Sequence, residues 1–248
     1  MTALILTYHA VEDGPAPLCI APERFVAQLD CLAELGAATL TVSQLTAALE
    51  EGTLLDRAVA LTFDDGCASA VRTAATALVE RGMTATFFCV AGHLGGWNDW
   101  PTQPGTAPRL ELASAAELGD VARLGFEIGA HGMEHAPLGK AGVELSRREL
   151  RDAKAALEEA AGTTVRSVAY PYGVLPSPTA AAIAAELYGA ACTTRPAHVP
   201  AKCDPRALPR VDVHYVRRPR VFRRAVAGGL DAYLRARGFA SALRTGRP

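Results

Sequence analysis

The chain has 248 residues, half of them hydrophobic, with 25 basic against 26 acidic side chains and a formal charge of −1. That much apolar material can bury one sizeable core, and the length suits a single α/β barrel or layered domain. The near-neutral charge, and the lack of any apolar run long enough to span a bilayer, exclude on these averages a nucleic-acid-binding protein and a transmembrane helix.

The first strand is predicted over Met1 to His9, an apolar run with no basic segment before it and no small-residue cleavage site after it. It reads as a strand and not a signal peptide, so a cytoplasmic location is expected. The six cysteines (Cys19, Cys31, Cys67, Cys89, Cys192, Cys203) form no C-x-x-C pair and are expected as reduced, mostly buried thiols. Pro22 to Leu35 carries a helical stripe of Phe25, Val26, Leu29, Leu32 and Leu35, opened by proline and closed by Gly36. A short helix begins at Ser43 and ends near Gly52, and a strand over Ala58 to Phe63 runs straight into Asp64-Asp65-Gly66.

The alternation continues with a helix over Ser69 to Arg81, a strand over Thr84 to Val90, a helix over Ala115 to Leu124 and a strand over Phe126 to Ala130 that ends at His131. A longer helix is predicted over Ser146 to Ala161. It is followed by a strand over Ser167 to Tyr170, a helix over Thr179 to Leu187, a strand over Ala190 to Thr194 and a last strand over Leu208 to Val213. Repeated β/α units imply a parallel sheet with helices outside it, and about seven of them in this length favour a distorted (β/α)7-8 barrel over an open doubly wound sheet. No glycine-rich phosphate loop follows any strand. The segment Gly92 to Pro108 is too long for a simple connection and should hang over the active face, with Trp97 and Trp100 either as a sugar-stacking platform or as hydrophobic anchors.

Asp64 and Asp65 are neighbours on an extended chain, so their side chains point in different directions and can take two roles. An isolated D-D-G would read as an acidic turn or a helix N-cap. The second motif changes that reading: His131-Gly132-Met133-Glu134-His135 brings two imidazoles four residues apart, and with a strand-terminal carboxylate they make two nitrogen ligands and one oxygen ligand, leaving positions open for water and substrate. Glu134 should point away.

These residues resemble the polysaccharide deacetylases that share the NodB homology domain, also called carbohydrate esterase family 4. The hallmark T-F-D-D-G stands as Thr62 to Gly66, and the H-[ST]-x-x-H motif as His131 to His135, with Gly132 in place of the usual Ser or Thr. That exchange removes a bracing hydrogen bond, so a looser loop with its metal retained is expected. The resemblance spans roughly residues 4 to 213 and implies a distorted barrel in which Asp65, His131 and His135 hold a divalent metal, zinc by expectation, and Asp64 is the general base. The family's third motif carries an Arg that Ala169-Tyr170-Pro171-Tyr172-Gly173 lacks. That A-Y-P-Y-G form resembles a branch of bacterial poly-N-acetylglucosamine deacetylases, in which the backbone N–H of Tyr172 would help hold the oxyanion. Arg210 is the candidate for the missing positive charge. The general acid is His9, by the same branch resemblance, or alternatively His214.

The expected reaction is removal of an N-acetyl group from an amino sugar, whether polymer, lipid-linked or small glycoside. A deacylase of a non-sugar amide, a non-haem iron oxygenase and a non-catalytic carbohydrate-binding relative are the competing readings. Residues 1–214 are expected to form the barrel and 215–248 a basic helical tail, where nine arginines face one acid, Asp231. Such a tail either packs on the barrel or makes peripheral contact with an anionic membrane.

Overall fold

A computed structural model describes residues 2–237. The chain opens with β1 (Thr2–Tyr8), a two-strand loop of β2 (Ala10–Val11) and β3 (Cys19–Ile20), α1 (Pro22–Glu34), β4 (Ala38–Leu40) and α2 (Val42–Glu51). Helix α1 begins at a proline, whose fixed φ suits the first helical position, and it buries Phe25, Leu29 and Leu32. Helix α2 is opened by a capping box, Thr41 and Gln44 each bonding the other's backbone N–H, and closed by Gly52 in the left-handed region.

Then come β5 (Ala58–Phe63), a π-helical turn at Ala70–Ala74 running into α3 (Ala75–Val79), β6 (Thr86–Cys89), α4 (Ala115–Arg123) and β7 (Glu127–Ala130). One continuous helical run follows, from α5 (Val143–Ser146) through a π-helical turn at Arg147–Asp152 into α6 (Ala153–Ala161). The remaining elements are β8 (Ser167–Ala169), α7 (Pro178–Leu187), β9 (Ala190–Cys192), β10 (Val199–Pro200), β11 (Val211–Asp212), α8 (Val213–Val216) and α9 (Pro219–Val226).

The main sheet runs β10-β1-β5-β6-β7-β8-β9, with β11 beside β1 and β4 beside β5, and every pairing in it is parallel except β10 on β1. It curls round on itself. Leu208 bridges Cys192 of β9, and three residues further on Val211 and then Asp212 pair with Leu6 and Thr7 of β1, so the segment 208–212 closes the ring between last and first strands. The distortion has a visible cause at β5. Its lower half, Ala58 to Ala60, pairs with β4, whereas its upper half, Thr62 and Phe63, pairs with β6.

Strand alternation sorts the core into two parts. Leu4, Leu6, Tyr8, Val59, Leu61 and Phe63 face the helices in the larger cluster, while Ala3, Ile5, Ala58, Ala60, Phe88, Ala169 and Cys192 belong to a second cluster with smaller side chains. Three sequence expectations need correction. The last strand is not continuous over Leu208 to Val213: Asp212 caps a helix, its carboxylate accepting the His214 N–H at 2.8 Å, so Val213 is already helical. The long helix starts at Val143 and carries the π-helical turn. Strands β2, β3, β4 and β10 are two or three residues each, too short to show a period of two.

In the described part of the basic tail, Phe222, Ala225 and Val226 of α9 are buried in the larger core cluster, and Arg223 pairs with Glu34 of α1 at 2.9 Å. Residues 231–237 are helical. The part of the predicted tail from 238 to 248, with Arg244 and Arg247, lies outside the described residues.

Candidate active site

The site sits at the C-terminal ends of the parallel strands. Asp64 extends β5 by one step, its N–H donating to Tyr8 O at 2.9 Å, and this places its carboxylate over the barrel mouth. Arg210, arriving on the closing segment, reaches it from inside the barrel: Nη1 donates to Asp64 Oδ1 at 2.6 Å and Nη2 to Oδ2 at 2.7 Å. The guanidinium is fixed further by Thr193 O, Thr62 Oγ1 and the ring of Phe88, and Arg210 is 1% exposed. Burial alone would raise the Asp64 carboxyl, but the Arg210 charge and fork, with His131 nearby, outweigh it and hold the group well below the usual carboxylate range.

Asp65 turns away through a left-handed backbone, φ 69°, and meets the two histidines. Its Oδ1 lies 3.6 Å from His131 Nε2 and 3.5 Å from His135 Nε2, and the two Nε2 atoms are 3.2 Å apart. All three side chains are buried. In a tetrahedral site with bonds of about 2.0–2.1 Å, ligand atoms stand about 3.3 Å from one another, so this triangle fits one face of such a site. His131 Nδ1–H donates to Ala169 O at 2.8 Å, which fixes the ring with Nε2 toward Asp65, and burial with His131 alongside pushes His135 down to about 2, so the His135 ring is neutral. Among the described residues the His135 Nδ1 has no hydrogen-bond partner; the ring is held instead between Trp100 and Tyr172, with centroids at 4.4 and 4.5 Å. Burial raises the Asp65 carboxyl, an effect that His9 and His131 oppose.

Four non-glycine residues among those described have left-handed backbones, and three are here: Asp65, His135 and Tyr172. Such conformations cost on the order of 1–3 kcal/mol each and persist only where surrounding structure enforces them.

The loop between the histidines is not loose, contrary to expectation. Gly132 has φ 90°, and a Cβ there would meet Glu149 Oε2 at 2.5 Å. Glu149 projects from the π-helical turn, fully buried, and its carboxylate accepts the N–H groups of Met133 at 3.1 Å, Glu134 at 3.1 Å and Ala136 at 3.2 Å. A long side chain from a neighbouring helix thus braces the loop in place of a short one within the motif. Glu134 does point away, to His93 at 3.1 Å and Arg148 at 3.0 Å.

A cleft of about 480 Å³ opens above these groups, lined by Asp64, Asp65, His131, His135, His9 and Arg210 at its floor and by proline-rich segments around Pro15 and Pro104 at its walls. Tyr172 also lines it, on the turn Pro171–Gly173, and its hydroxyl lies 2.8 Å from Thr102 Oγ1. His214 does not reach this cleft; it lies on α8, against Arg217. Of the long loop's tryptophans, Trp100 is buried against His135, an anchor and not a platform, while Trp97 is 40% exposed and carries Arg109 over its ring. Cys67 is fully buried. Sequence reasoning missed Glu149, Thr102 and Thr193; Gly132 was the one local signal for Glu149.

A carboxylate and two histidines thus converge at the strand ends of a parallel barrel, the arrangement of an α/β-barrel protein with a candidate metal site. The sequence model of the polysaccharide deacetylase family matches residues 51–189, more than half of the chain, and the chain belongs to that family. YxkH of Bacillus subtilis, provisionally named a polysaccharide deacetylase, is 24% identical over 193 residues, which is 77% of this chain but 64% of that protein, so the chain spans less than two thirds of this curated relative. The fold is similar to that of IcaB from Ammonifex degensii, with a TM-score of 0.75 and 23% identity over 92% of this chain and 97% of that one. It is also similar to the Streptococcus pyogenes deacetylase PplD, solved in complex with acetate, with a TM-score of 0.73 and 24% identity over 86% and 92% of the two chains.

Proposed function

We propose that the chain is a metal-dependent N-deacetylase that hydrolyses the acetamido group of an N-acetylated sugar to acetate and a free amine. The observation that carries this reading is the buried triangle of Asp65, His131 and His135 beside a second carboxylate that an arginine keeps ionised. Asp65, His131 and His135 would hold a divalent cation, with zinc the expected ion. When bound, such a cation brings the pKa of a water from about 15.7 toward about 7 and polarises the amide carbonyl, which a base as weak as Asp64 requires.

Asp64 takes the proton from the attacking water and becomes neutral; Arg210 keeps the carboxylate ionised before that transfer and holds its plane fixed. The backbone N–H of Tyr172, set by its left-handed turn, holds the negative charge that develops on the carbonyl oxygen. His9 lines the cleft and protonates the departing amine; His214 does not line it. The neutral walls around Pro15 and Pro104 exclude water from a sugar ring without contributing charge.

The test is acetate release from N-acetylglucosamine oligomers and from nucleotide-linked and lipid-linked N-acetyl sugars, by zinc-loaded wild type and by Asp64→Asn. Release that collapses in the variant supports the reading. No release from any of these substrates, with one metal tightly bound, overturns it in favour of a non-sugar amide.

A further inference from the structure

A second cavity, of about 640 Å³, lies beside the cleft among α8, α9 and the helical residues 231–237. Arg217, Arg218, Arg224 and Arg237 line it together with Tyr215 and Tyr233, and no carboxylate is among its lining residues. That is unlike much of the surface, where Arg72, Arg81, Arg109, Arg123, Arg148 and Arg223 each sit against an acid. Among the described residues none of the four cavity arginines forms an ion pair. Arg217 rests on the His214 ring nitrogens, Arg224 on Gly229 O at 3.5 Å, and Arg237 over the rings of Tyr215 and Tyr233 at 4.8 and 5.6 Å. The aromatic contacts hold the Arg237 guanidinium without neutralising it.

Four guanidinium groups with no counter-charge among the described residues, around one concavity, repel one another and concentrate positive potential there, which an anion relieves. Guanidinium forks match the oxygens of a phosphate in pairs. The cavity is also placed to serve the reaction: Tyr215 lines both it and the cleft that holds Asp64, so the two are neighbours. Of the charged groups lining the cleft, Arg210 is already paired with Asp64 and Asp212 is acidic, so an anionic substituent would find its counter-charge next door.

We propose that this cavity is an anion subsite for a phosphate or diphosphate carried by the sugar substrate, an inference about substrate class that rests on the deacetylase reading above. The sugar's acetamido group lies in the cleft while its anionic substituent passes Tyr215 into the arginines. A nucleotide-linked sugar and a lipid-diphosphate-linked sugar share this chemistry.

The test uses the full chain and a variant carrying Arg217→Gln, Arg224→Gln and Arg237→Gln, with a matching Lys variant to keep the charge if the Gln protein unfolds. Calorimetric titration with inorganic diphosphate is expected to show saturable, salt-sensitive binding to wild type, weakened about tenfold or more in the Gln variant. In kinetics the Gln variant is expected to raise KM about tenfold for a nucleotide-linked N-acetyl sugar, for a lipid-diphosphate-linked one in phosphatidylcholine vesicles, or for both, identifying the source, while kcat and KM on a neutral N-acetylglucosamine methyl glycoside stay unchanged. Absence of saturable diphosphate binding overturns the proposal, as does an equal loss on the neutral glycoside. Wild type that binds phosphatidylglycerol vesicles but not diphosphate reassigns these arginines to a membrane surface. The titration decides the subsite whether or not any sugar is deacetylated, so its failure and that of the deacetylase reading are told apart.

Discussion

Arg210 and Asp64, 146 residues apart in sequence, meet inside the barrel through two parallel hydrogen bonds of 2.6 and 2.7 Å. Removing the arginine leaves a buried carboxylate unpaired. Arg210→Ala is therefore expected to lose about 3–5 kcal/mol of stability in denaturant titration, and Arg210→Lys, which keeps charge without the fork, to lose less. The pH dependence follows from the direction of the shift. Because Asp64 is held below its unfolded value, the pair's contribution in the metal-free protein is complete above about pH 4 and fades as pH falls below it. The stability gap between wild type and Arg210→Ala should narrow on acidification; a gap constant from pH 7 to pH 3 counts against the pairing.

Glu149 offers a second check. Glu149→Ala strips the acceptors from three loop N–H groups, and the expected result is a lower Tm together with zinc affinity weakened about 10- to 100-fold in competition with a chelator. Gly132→Ala should also be damaging, through both its backbone and the contact with Glu149 Oε2. In the double variant the contact is gone, so the two losses should sum to less than their separate values. Strict additivity would mean that Glu149 does not occupy the space Gly132 leaves.

His9 and His214 are separable by kinetics. His9→Ala is expected to lower kcat about 10²-fold or more on an N-acetyl sugar, the usual range for losing a general acid, with a smaller change in KM. His214→Ala should leave kcat close to wild type, since that ring lies outside the cleft. The reverse pattern would transfer the role of acid to His214.

Thiol labelling probes the barrel core. Burial pushes Cys89 and Cys192 up to about 12 and Cys67 well above its ordinary value, whereas Cys19, Cys31 and Cys203 are only partly covered. Iodoacetamide at pH 8 followed by peptide mass spectrometry should mark the latter three first and the former three only after unfolding. Early labelling of Cys67 would mean that the turn after Asp65 opens.

Much of this was legible in the sequence because the chemistry sits where periodicity ends. The apolar run of β5 stops at Asp64 and that of β7 at His131, so motif and strand end reinforce each other. The parallel β/α order likewise follows from alternating patterns. What was hidden depends on distance along the chain. Nothing local links Glu149 to Met133 or Arg210 to Asp64; the first was betrayed only by a missing side chain at Gly132, and the second only by a missing charge near Tyr170. Strand β4 was hidden for another reason: three half-buried residues carry no alternation.

The left-handed turns at Asp65, His135 and Tyr172 set the terms on which this site could be moved or copied. Placing an aspartate and two histidines on another barrel would reproduce the inventory but not the aim, because Asp65 and His135 point where they do only after the main chain has bent against its own preference. A transplant would have to carry the bends, and the packing of Trp100 and Glu149 that enforces one of them, as a single inheritance.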